Sequence, residues 1–132
     1  MTEAVLEWVE KAESDFESAE LVNRPPKGKP NYDLVCFLSQ QCVEKYLKGF
    51  LMHHDIAFTK TPNLAVLLDL TLLHQPLWES WRNAFERIGE YAVEFRYPGE
   101  KADTKNAKTA LEIASTFRKE ALTALGLSNI LP

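Results

Sequence analysis

The chain has 132 residues, 45% of them hydrophobic and 26% charged, the balance of one soluble globular domain. Its 15 Lys and Arg against 19 Asp and Glu leave a net charge of -4, which excludes a DNA-coating protein with a strongly basic surface. A chain of this length buries roughly two-thirds of its unfolded surface, so it needs neither a disulfide nor a metal to fold.

Residues 1–10 carry three glutamates and no base, unlike a signal or transit peptide. No apolar run approaches the ~18 residues that cross a bilayer, so no membrane association is expected. Cys36 and Cys42 fall on one predicted helix, about 9 Å apart along its axis and about 120° around it. A disulfide needs Cα atoms within ~7 Å, so free thiols in a reducing, cytoplasmic setting are expected.

Five segments show the helical period and none shows sustained strand alternation. Over 2–23, Val5, Val9, Ala12, Phe16 and Ala19 form an apolar stripe that Leu6 and Trp8 widen. Glu3, Glu7, Glu10, Glu13, Asp15, Glu17 and Glu20 form an acidic face, expected to be solvated and to repel phosphates. Residues 24–32, with three prolines, one glycine and three bases, cannot continue a helix and predict a mobile loop.

Over 33–54, Val35, Cys36, Leu38, Cys42, Val43, Tyr46, Leu47, Phe50 and Leu51 span an arc of roughly 220°. A surface helix needs only ~100°, so this one sits at the centre of a bundle or in a dimer interface. Gln41, Lys45 and Lys48 share the remaining arc, either as a solvated row or as a cationic row at the edge of a cleft. Glu44 and Lys48 are placed for an i,i+4 ion pair.

Thr61-Pro62 reads as the start of a short third helix with Thr61 as its cap, carrying Leu64, Leu67 and Leu68 and ending near His74. From Pro76 the fourth helix places Leu77, Trp78, Trp81, Ala84, Phe85, Ile88, Tyr91, Ala92 and Phe95 on one face. Pro98-Gly99 then suits a type II turn within residues 96–102, with Gly99 at positive φ. Asp103 or Thr104 caps the last helix, whose stripe is Ala107, Ala110, Leu111, Ala114, Phe117, Ala121 and Leu125, with Gly126 as its stop. The expected fold is all-α, a single antiparallel up-and-down bundle of four to five helices over residues 1–132.

The residue chemistry offers little catalysis. His53 and His54 are adjacent and His74 has no ligand at helical spacing, so no metal and no cofactor are expected. The five glycines are scattered, so no phosphate-cradling loop is present. The best anion-binding candidate is Arg96 beside Tyr97, followed by Lys101, Lys105 and Lys108, with free N–H groups at the start of the last helix. Arg96, Tyr97 and Lys101 are the candidate nucleotide- or RNA-binding residues, with Gln41, Lys45 and Lys48 as a second wall. The competing reading pairs Arg96 with Glu90 or Glu94.

Four blocks carry a resemblance. Lys11-Ala12-Glu13-Ser14-Asp15, Gln40-Gln41-Cys42-Val43-Glu44-Lys45-Tyr46-Leu47-Lys48, Lys60-Thr61-Pro62-Asn63-Leu64 and Tyr91-Ala92-Val93-Glu94-Phe95-Arg96-Tyr97-Pro98-Gly99 resemble the prokaryotic HEPN domain family, in family order. The resemblance implies a helical bundle, a homodimer and a minimal nucleotidyltransferase protein as partner, in some cases within a toxin–antitoxin system. Some members are metal-independent ribonucleases, and others bind nucleotides or RNA without cutting.

The ribonuclease signature is an Arg followed after four to six residues by His. Here those slots hold Lys101, Ala102 and Asp103, and Pro62 replaces the family's usual His before Asn63. Without an imidazole of near-neutral pKa, phosphodiester cleavage lacks its proton carrier. The expected function is thus a non-catalytic nucleotide- or RNA-binding module. The alternatives are an endoribonuclease with a degenerate Arg/His centre and a purely homodimeric interaction module.

Overall fold

The computed structural model describes residues 1–24 and 30–131. Five helices follow in order, α1 (Glu3–Asn23), α2 (Tyr32–His53), α3 (Leu64–Thr71), α4 (Arg82–Glu94) and α5 (Thr104–Ala124). A 3-10 helix over Pro76–Trp81 leads into α4, and another over Ser128–Ile130 ends the described chain. No strand occurs among the described residues, and no described helix is long and apolar enough to cross a membrane. The loop expected over 24–32 falls mainly on 25–29, outside the described residues.

The helix starts follow from local chemistry. Thr2 Oγ1 accepts from the Val5 N–H at 3.3 Å and Asn31 Oδ1 from the Leu34 N–H at 3.1 Å. Such caps satisfy N–H groups that no helical carbonyl can reach. Asp103, the anticipated cap of α5, closes a reciprocal box with Asn106, at 2.8 and 3.0 Å. α5 ends in a Schellman motif: Gly126 adopts φ +74°, and Leu127 N–H reaches Leu122 C=O at 2.8 Å.

Two local expectations need correction. Asn63, not Thr61, caps α3, because its amide oxygen accepts from both Ala65 and Val66 N–H groups. Thr61 instead accepts from the Asn63 N–H at 3.1 Å and fixes the approach to the cap. Leu77 is 84% exposed rather than buried. Pro76–Trp81 winds as a 3-10 helix, in which residues three apart eclipse. Trp78 and Trp81 therefore both turn inward and place their rings edge-on to Phe117, at 4.9 and 5.4 Å, while Leu77 turns out.

α2 is the central element, packed against α1, α3, α4 and α5. Val35, Cys36, Cys42, Val43, Tyr46, Leu47, Phe50 and Leu51 are all fully buried. The wide apolar arc is thus covered within one chain, and it no longer argues for a second copy. Cys36 and Cys42 are buried and free. Burial, then nearby Asp33 and Asp103, pushes the Cys36 thiol up to about 12, so it is inert at neutral pH.

Candidate functional site

α4 lines one side of a groove with two adjoining strips. Glu86, Glu90 and Glu94 recur at i,i+4,i+8 and are exposed; beside them run Phe85, Gly89, Ala92 and Val93. Facing these are Phe37, Gln40 and Gln41 from α2 and the segment Pro62 to Ala65 entering α3. Between the two walls lies a groove of about 850 Å³, with Arg96 at its end. Gln40 sets the separation of the walls: it is buried, and its Nε2 donates to Pro62 C=O at 3.0 Å. Its Oε1 accepts from Gln41 Nε2 at 3.3 Å, which holds Gln41 at the groove wall.

Arg96 and Gln41, 55 positions apart in the chain, thus meet in one groove. Arg96 is exposed and forms no ion pair among the described residues, with Glu90 and Glu94 included. Tyr97 and Lys101 stand on the adjoining turn, both exposed, and neither lines the groove. The Pro98-Gly99 turn forms as expected: Gly99 has φ +92°, and Glu100 N–H reaches Tyr97 C=O at 3.2 Å. The start of α5 offers phosphate less than its sequence promised, since the Asp103 carboxylate already occupies it as the cap.

Lys45 and Lys48 face α1, away from this groove. Lys45 Nζ meets Asp15 Oδ2 at 2.5 Å. Lys48 is 7% exposed, pairs with Glu44 at 2.8 Å as the spacing anticipated, and lies 5.7 Å from the centre of the Trp8 ring. The row of Gln41, Lys45 and Lys48 is therefore neither a solvated face nor a second wall. α1 covers its two lysines, and only Gln41 shares a site with Arg96.

The acidic face of α1 is exposed at Glu3, Glu7, Glu10 and Glu17 as expected, but departs from expectation at Glu13 and Asp15. Glu13 follows Val9 by four residues and Asp15 follows Ala12 by three, so both flank the buried stripe. Arg118 of α5 grips Glu13 through Nε at 2.5 Å and a terminal nitrogen at 2.6 Å. The Tyr46 hydroxyl donates to the same carboxylate. Burial would raise the Glu13 carboxyl, but the Arg118 and Tyr46 hydrogen bonds outweigh it and hold the group below the ordinary carboxylate value. Burial and that same carboxylate push the Tyr46 phenol up. The Glu13 carboxylate thus ties Arg118 and Tyr46 together, and the cluster is a brace joining α1, α2 and α5. The missed signal was Tyr46: a tyrosine inside an apolar arc needs an acceptor from a facing helix.

His53, His54 and His74, the chain's three histidines, gather at the other end of α2. The His54 and His74 rings stack at 4.3 Å, and the His53 ring lies 5.0 Å from His54. None of them lines the groove. No group of three or more His, Cys, Asp or Glu able to hold a metal occurs among the described residues.

The family model for the HEPN domain matches residues 5–124. The chain belongs to the HEPN family. No curated protein and no solved structure matches it. The matched span takes in α1 from Val5 onward, the other four helices of the bundle, both walls of the groove and the 96–102 turn. In this HEPN domain the slots after Arg96 that would carry the ribonuclease histidine hold Lys101, Ala102 and Asp103.

Proposed function

We propose that this HEPN domain is a non-catalytic nucleotide- or RNA-binding module that acts with a nucleotidyltransferase partner, in a toxin–antitoxin type of pairing. The observation that carries the nucleotide reading is the 96–102 turn. It displays Arg96, the 63% exposed ring of Tyr97 and Lys101 on a backbone held by Gly99, and no carboxylate pairs with either base among the described residues. A guanidinium and an ammonium attract a phosphate, and a flat exposed ring offers a base a stacking face. Gln41, which lines the same groove as Arg96, adds an amide able to read a base edge.

Arg96 shares its groove with Glu90 and Glu94 but with no imidazole, which supports binding over cleavage. An imidazole is the usual proton carrier near neutral pH, and the three histidines lie elsewhere. Homodimerisation belongs to the same reading. Val66, Leu70, Leu73 and Leu77, between 36% and 86% exposed, give α3 and its exit an outward apolar stripe suited to a second copy. Titration with labelled mononucleotides and a short single-stranded RNA tests the reading. Arg96→Glu should weaken binding about tenfold, the worth of one charge-assisted hydrogen bond, and leave the helical circular dichroism unchanged. Equal affinity in the variant, or RNA cleavage that Arg96→Ala abolishes, would reverse the proposal.

A further inference from the structure

The groove along α4 has a chemistry that differs from the phosphate-binding turn beside it. Its floor is apolar: Phe85 and Leu64 are buried beneath it, and Phe37 and Val93 stand 40% and 56% exposed along its edges. One edge is acidic, with Glu86, Glu90 and Glu94 making no ion pair among the described residues. Three carboxylates along this edge attract a cation. The opposite edge, Gln41 and Asn63, is neutral.

Gly89 supplies a second, separate indication. It sits in the middle of α4, where glycine costs about 1 kcal/mol relative to alanine. Nothing among the described residues requires it: its φ is not positive, and a Cβ built there would meet none of their atoms within 4 Å. Gly89 lines the groove, with Ala65 and Ala92 also small. A glycine that internal packing does not demand leaves room for a backbone approaching from outside.

We propose that this groove binds a basic amphipathic helix of a partner protein. Its apolar face lies on Phe37, Gly89 and Val93, and Lys or Arg at four-residue spacing meet Glu86, Glu90 and Glu94. The acidic row spans eight residues, about 12 Å at the helical rise, which matches a little over two turns of such a helix. The exposed faces of α1 cannot supply this occupant, because they carry Glu3, Glu7, Glu10 and Glu17. The inference names the chemistry of the partner in the reading above. It rests on the α4 edge rather than on Arg96, so Gly89→Leu should leave nucleotide binding at the 96–102 turn unchanged while it removes the peptide.

The test uses the whole chain and two synthetic peptides of 14 residues, identical in their Leu and Ala face. One carries Lys at the three edge positions and the other carries Glu. In fluorescence anisotropy at low salt, the Lys peptide should bind about tenfold tighter, since three exposed ion pairs of about twofold each compound. That advantage should fade toward 0.5 M salt, as surface charges are screened. Glu90→Lys should narrow or invert the preference, and Gly89→Leu should abolish binding of the Lys peptide. Circular dichroism of both variants should match the wild type, because Glu90 is exposed and the Gly89 position is open. Equal binding of the two peptides, binding of neither, or full affinity in Gly89→Leu would overturn the proposal. So would a homodimer in sedimentation that Gly89→Leu dissociates, since the occupant would then be a second copy.

Discussion

Removing the Glu13 carboxylate is the sharpest perturbation of the scaffold that holds the site. Glu13 accepts two hydrogen bonds from Arg118 and one from Tyr46, with the Glu13 and Arg118 side chains 17% and 12% exposed. Hydrogen bonds to charged groups contribute about 1.5–3 kcal/mol, and breaking a fully buried pair costs about 3–5 kcal/mol. Partial exposure lets solvent screen the orphaned guanidinium, so Glu13→Ala should cost about 2 kcal/mol. That corresponds to a fall of roughly 6–10 °C in Tm for a domain of this size. Urea denaturation followed by tryptophan fluorescence should give, in a double-mutant cycle of Glu13→Gln and Arg118→Met, a coupling of at least about 1 kcal/mol.

The pH dependence carries the same sign. The folded carboxyl sits below its ordinary value near 4.5, so its contribution is present above that pH and is lost as pH falls through the folded value. Acid destabilisation below about pH 4.5 should be shallower in Glu13→Gln. A coupling under about 0.5 kcal/mol, the level of an ordinary surface pair, would show that the apolar stripe alone holds α1 in place.

Three further outcomes follow from particular residues. Gly99→Ala should destabilise by about 1 kcal/mol because φ +92° strains any Cβ, whereas Gly89→Ala should stabilise by about 0.5–1 kcal/mol through helix propensity; thermal melts of the pair test the contrast. Trp78→Ala should cost about 3–5 kcal/mol and Leu77→Ser almost nothing, a difference that a uniform α-helix from Pro76 would not produce. Burial, then His74 and His53, holds the His54 imidazole below its ordinary value, so its contribution is full above about pH 6.5 and is lost as pH falls. His74→Phe keeps a stacked ring without the charge and should flatten that loss in melts between pH 7 and 5; an unchanged slope would contradict the stacked pair.

How the residues divide between local and long-range control explains what was legible in the chain alone. The helices, the Gly99 turn and the Asp103 cap are set by neighbours within four residues, and the order of side chains contains that information. The apolar stripes of α1, α2 and α5 did so too, since the helical period fixes which positions share a face. The 3-10 start at Pro76 was hidden, because spacings of three fit both helical forms at Trp78 and Trp81.

The site depended on matters that no local pattern encodes. Lys45, Lys48 and Gln41 share one row, and which of them remained available was decided when α1 brought Asp15 and Trp8 over the two lysines. Arg96 looked ready to pair with Glu90 or Glu94 on the preceding helix, yet it forms no ion pair among the described residues and lines the same groove as Gln41. Glu13 looked solvated until α5 delivered Arg118 from 105 residues away. Sequence determines a residue's face on its helix; only packing decides which other helix that face meets, because charge pairing and burial act through space between segments far apart in the chain.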